Sequence, residues 1–71
     1  MKTNFNAQKK EERGHRLAKL RLDMGWSQRI MAEKLGVSRN TIVNIERGEF
    51  NIKPANLEKY AKIFNVPTDT L

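Results

Sequence analysis

The stretch from Gln28 to Arg47, QRIMAEKLGVSRNTIVNIER, leaves this chain little choice of fold. Met31, Ala32 and Leu35 recur at helical spacing, and so do Ile42 and Ile45. Ser27 and Ser38 stand where a helix wants a side-chain oxygen at its N-cap. Gly36 offers left-handed backbone that most residues resist. The spacing therefore predicts two short helices joined by only Gly36-Val37-Ser38. Ala32 is small, so the second helix can cross the first closely. With Met31, Leu35, Val37, Ile42 and Ile45 turned inward, Arg39, Asn40, Thr41, Val43, Asn44 and Arg47 face outward. That outward face is polar, basic and rich in amides. It suits the base edges of a DNA major groove, which admits one α-helix.

The same punctuation continues on both sides. Leu17, Leu20, Arg21 and Met24 share one helical face, which predicts a helix from Asn6 or Ala7 to Met24, with Gly25 closing it. Gly14 costs such a helix about 1 kcal/mol relative to alanine. A start near Gly14 with a looser arm before it is the alternative. Residues 1–13 are thus a basic arm or helix extension, and residues 14–71 the folded domain. Gly48 ends the third helix. Pro54 opens a fourth, with Leu57, Tyr60, Ala61 and Phe64 inward. Pro67 opens a last short turn that packs Leu71. Strand alternation and hairpin turns are weak throughout. The expected fold is all-α, a compact bundle of four to five short helices containing a helix-turn-helix.

Composition narrows the function. With 71 residues, one domain is the limit. A single histidine, His15, and no cysteine exclude the usual zinc ligand sets, so no metal and no cofactor are expected. His15 has no cysteine or carboxylate pair at useful spacing, which argues against an enzyme. No apolar run approaches the roughly 20 residues that span a bilayer, so no membrane partner is expected. The first residues lack the apolar core of a secretory signal. A cysteine-free chain fits the reducing cytoplasm. The net charge of +6 points toward a polyanion. Most of it lies early: residues 1–21 carry seven Lys/Arg against two Glu, and the remainder is nearly balanced.

The segments RLAKLR (16–21), GWSQ (25–28), AEKLGVS (32–38), TIVNIERG (41–48) and YAKIFNVP (60–67) together resemble the Cro/CI-type, or XRE, helix-turn-helix family. The resemblance covers roughly Gly14 to Leu71. It implies a lambda repressor-like bundle of five helices that binds double-stranded operator DNA, usually as a symmetric homodimer. It places Arg39, Asn40, Thr41 and Asn44 over the bases, with Val43 against a thymine methyl. Arg39 suits guanine, and Asn40 or Asn44 suits adenine. Gln28 falls on a family position that contacts backbone phosphate, with Ser27 beside it at a helix N-terminus. Arg47, Asn51 and Lys53 would grip phosphates on the other side, fixing register without reading sequence. Arg21 and Glu46 fall where the family commonly places a partly buried ion pair between helices one and three.

Several positions depart from the family pattern. Ile30 and Val43 are apolar where polar residues are usual; Ile30 either rims the core or meets a partner. Ile52 stands where the family often has proline. Trp26 replaces an aliphatic residue, and its indole N–H wants a partner. Phe50 either plugs the core edge or serves a dimer contact. Lys2, Lys9, Lys10 and Arg13 either follow phosphates or form a solvated tail. The fifth helical segment leaves open a further C-terminal region that supplies dimerisation or ligand sensing. The alternative functions are a protein-interaction module of the same fold, such as an antitoxin or coactivator component, and RNA binding, for which no stacking-aromatic motif is visible.

Overall fold

The structure is a computed structural model that describes residues 5–49 and 52–71, with side chains described from residue 11 onward. It contains helices α1 (Phe5–Asp23), α2 (Gln28–Leu35), α3 (Arg39–Arg47) and α4 (Pro54–Phe64), then a 3-10 turn at Thr68–Thr70. No strand occurs among the described residues. None of their helices is long and apolar enough to cross a membrane.

Each helix starts and stops for a local reason. Ser27 and Ser38 cap α2 and α3: their hydroxyl oxygens accept from the main-chain N–H of Ile30 and Thr41, at 3.1 Å each. Pro54 sits in the first turn of α4, where its missing N–H costs nothing. All four helices end in one motif, in which the residue just after a pivot donates to the carbonyl five residues back. The bonds are Trp26 to Arg21, Val37 to Ala32, Glu49 to Asn44 and Val66 to Ala61, all 3.0–3.1 Å. The pivot of this motif is left-handed. It is glycine in the first three helices and Asn65 in the fourth, the one non-glycine among the described residues with positive φ.

α3 packs against both α1 and α2, while α4 packs against α2 and the closing turn. Leu17, Met31, Leu35, Ile42 and Tyr60 are fully buried in the core, joined by Ala32, Ile45, Ile52, Ala61 and Leu71. Leu20, Trp26, Val37, Leu57 and Phe64 pack around it, half-buried. Trp26 lies against Phe64, ring centroids 5.6 Å apart, with the Lys34 ammonium 4.4 Å over its ring. Ile52, the residue in the usual proline position, fills the core edge. The guanidinia of Arg13 and Arg16 donate to the Leu71 carbonyl at 3.3 and 3.1 Å, tying the closing turn to α1.

Two expectations change. Helical spacing puts Met24 on the inner face of α1, but it is 54% exposed. The helix stops at Asp23, and Gly25 reverses the chain before residue 24 can point inward. Trp26, one residue beyond the pivot, takes the hydrophobic contact instead. The second change concerns Gly14, where α1 continues without a break and the residue is buried. A Cβ there would lie 2.5 Å from the Glu46 carbonyl oxygen and 2.8 Å from that of Ile45. Gly14 is therefore the seat on which the end of α3 rests, not a fraying point.

Tyr60 carries a consequence for pH. Its buried hydroxyl has no hydrogen-bond partner among the described residues. Burial, and then the Glu46 carboxylate, push the phenol well above its ordinary value, with Arg21 partly opposing. A phenol raised in the fold gives its full stabilising contribution below the unfolded value of about 10 and loses it as pH rises further. Above about pH 10 it should cost the native state ~1.4 kcal/mol per pH unit. Tyr60→Phe should remove that slope and leave neutral-pH stability equal or slightly higher, because the buried hydroxyl is unpaired. Urea midpoints of both proteins measured across alkaline pH check this; equal alkaline losses would contradict it.

Candidate nucleic-acid interface

The outward face of α3 follows from its capping and its core contacts. Ile42 and Ile45 are locked in the core, and Glu46 is buried beside them. At about 100° per residue, Arg39, Val43, Arg47, Asn40 and Asn44 then fan across the opposite side. Arg39 and Asn40, in the first turn, are exposed, as is Arg47 in the last. Val43 and Asn44 are half-buried between them. Thr41 sits at the edge of this fan. Its hydroxyl lies 2.9 Å from that of Ser38, so it belongs to the capping turn as much as to the open face.

The flanking positions come from different elements. Ser27 uses its oxygen as an acceptor for α2, which leaves its O–H free to donate outward. Gln28 is half-buried, and its amide nitrogen donates to Glu46 Oε1 at 3.2 Å. Arg47 lies 3.5 Å from Glu49 in an exposed pair that contributes little and leaves the guanidinium available. Lys53 is exposed immediately before α4. Asn51 and Phe50 lie outside the described residues. Ile30 is 39% exposed in the first turn of α2, on the rim rather than in the core.

Behind this face lies one buried polar cluster. Arg21 donates from Nε to Glu46 Oε2 at 2.7 Å and from a terminal nitrogen to Oε1 at 3.0 Å. Its other terminal nitrogen donates to the Trp26 carbonyl at 2.8 Å. The two side chains are 10% and 6% exposed. The pair is bidentate and nearly dry, a setting in which an arginine–carboxylate contact is strong. It joins α1 to α3 and holds the α1–α2 turn. Sequence reasoning placed Arg21 and Glu46 in a structural role but gave Gln28 only to phosphate; its bond to the same carboxylate was not legible. The packing role of Gly14 was missed as well; its one trace in the sequence is that it precedes Leu17 and Arg21 by three and seven residues, on their face.

Among the described residues no group of three or more His, Cys, Asp or Glu gathers to hold a metal. What the surface offers is a short helix with exposed guanidinium and amide groups, flanked by further donors. Such an arrangement recognises phosphate oxygens and base edges.

Comparison with known proteins agrees with this geometry. Residues 17–71 match the helix-turn-helix family. An uncharacterised HTH-type transcriptional regulator of Archaeoglobus fulgidus is 36% identical over 56 residues, covering 79% of this chain and 80% of that protein. The crystal structure of the restriction-modification controller protein C.AhdI from Aeromonas hydrophila superposes with a TM-score of 0.81 at 29% identity. That match covers 87% of this chain and 94% of the controller. Family match, relative and shared fold lead to one conclusion: the chain belongs to the XRE-type helix-turn-helix family of DNA-binding transcriptional regulators.

Proposed function

We propose that this chain is a cytoplasmic, non-catalytic repressor that binds a palindromic operator as a homodimer, each copy laying α3 in the major groove. The observation that carries the reading is the exposed first turn of α3. There Arg39 and Asn40 project from a helix whose other side is fixed in the core. Arg39 pairs with guanine, and Asn40 and Asn44 with adenine, while Val43 contacts a thymine methyl. Thr41 serves at the edge of the reading face. Ser27, Gln28, Arg47, Asn51 and Lys53 hold phosphates and set the register. The likeness to a controller protein over most of both chains supports a regulatory role. A dimer would repeat the half-site about one helical turn away, which is what a palindrome offers.

Two substitutions separate reading from gripping. Arg39→Ala should relax base preference at one position of the half-site, at a cost of about 1–3 kcal/mol for the preferred sequence. Lys53→Ala should weaken all sequences alike and reduce the salt slope of binding by about 1. Binding measured on a panel of single-base operator variants checks both. Identical profiles for the two proteins would remove the assignment.

A further inference from the structure

Gln28, half-buried, joins the buried cluster through its side-chain amide. Gln28 is the first residue of α2, and its side chain crosses to Glu46 near the end of α3. A carboxylate only accepts hydrogen bonds, so the amide nitrogen of Gln28 must be the atom that faces it. That fixes which way the amide is turned. One N–H goes to Glu46 Oε1, and the second N–H of the same nitrogen remains for an outside acceptor. Glu46 is in turn immobilised by Arg21, which bonds both of its oxygens. Arg21 also holds the Trp26 carbonyl, so the chain entering α2 is fixed at both the main chain and the Gln28 side chain.

We propose that Glu46, clamped by Arg21, is a positioning residue for DNA binding: it pre-orders the Gln28 amide so that its free N–H meets a phosphate oxygen. This rests on the DNA-binding reading above. An unrestrained glutamine loses rotamer freedom when it is immobilised on a partner. A pre-ordered one avoids that loss, which corresponds to about two- to tenfold in affinity. The arrangement also links the phosphate grip on α2 to the reading helix. Both hang on the carboxylate of a residue that touches no DNA itself.

The test is a double-mutant cycle on the intact chain, with a mixed-sequence DNA duplex as probe, because a phosphate contact is independent of sequence. Gln28→Ala is made in the wild-type background and in Arg21→Met/Glu46→Leu, which removes the ion pair but keeps apolar volume. In the wild-type background Gln28→Ala should weaken binding about two- to tenfold. In the second background it should add little, because Gln28 has already lost its anchor. An equal loss in both backgrounds, or no loss in the first, overturns the proposal. A cluster that only stabilised the fold would lower the melting temperature without changing the increment due to Gln28. Should the double variant fail to fold, side-chain amide relaxation of Gln28 in the free wild-type protein decides. A rigid amide, with an order parameter near the ~0.85 of ordered backbone, supports the proposal, and a value below ~0.6 overturns it. If the wild-type chain binds no DNA at all, it is the regulator reading that falls, whatever the state of the Gln28 amide.

Discussion

Gly14→Ala should destabilise the domain by about 3 kcal/mol or more, the upper range for overpacking against atoms that cannot move aside. The added methyl would sit 2.5 Å from the Glu46 carbonyl oxygen and 2.8 Å from that of Ile45. Both are main-chain atoms at the end of α3, where the Ile45 carbonyl already accepts from Gly48. Relief requires α1 to back away from α3, which strains the Arg21–Glu46 bridge seven residues further along α1. Helix propensity alone predicts the opposite sign, because alanine in mid-helix is favoured over glycine by about 1 kcal/mol. The sign of the change therefore discriminates. Urea unfolding followed by Trp26 fluorescence measures it, since Trp26 is half-buried against Phe64. A domain of this size has only about 3–5 kcal/mol in hand from its core, so the variant should keep at most about 2 kcal/mol of it. A midpoint equal to or above that of the native protein would show that α1 does not rest on α3 in this way.

Glu46→Ala is the second large effect, expected at about 3–5 kcal/mol. The size comes from what is left behind more than from what is lost. Arg21 would keep its charge in a site where its side chain is 10% exposed, with only the Trp26 carbonyl as partner. Removing both charges together is different. Arg21→Met/Glu46→Leu leaves no stranded charge and should cost far less than Glu46→Ala, because a buried pair often stabilises no more than a well-packed apolar pair does. Urea unfolding of the three proteins gives the comparison. If the double variant were as unstable as the single one, the bridge would contribute through its own attraction, and the desolvation argument would fail here.

Much of this fold was legible in the chain because its punctuation is local. Ser27, Ser38 and Pro54 act within one helical turn, and Gly25, Gly36 and Gly48 each reverse the chain within two residues. The outward set of α3 followed from the two isoleucines that had to be inside. What escaped the sequence depends on distance through space. Met24 continued the inner stripe of α1 by spacing, and only the position of the chain reversal turned it outward. Gly14 looked like a weak point because propensity is a property of one helix, whereas its role lies in how closely a second helix approaches. The bond from Gln28 to Glu46 spans α2 and α3 and has no periodicity to reveal it. Thr41 counted as a reading residue by helical position, while the hydroxyl of Ser38 gives it a second task.

In the proposed function the exposed first turn of α3 reads bases, while charge outside it supplies general affinity. Titration of the wild-type chain with a selected palindromic duplex and with its scrambled counterpart, across a range of salt concentrations, tests this most directly. Both affinities should fall steeply and linearly on a log–log plot, as counterions are released from phosphates. The palindrome should bind about 10³-fold tighter or more throughout. Equal, weak binding to both duplexes at every salt concentration would contradict the account.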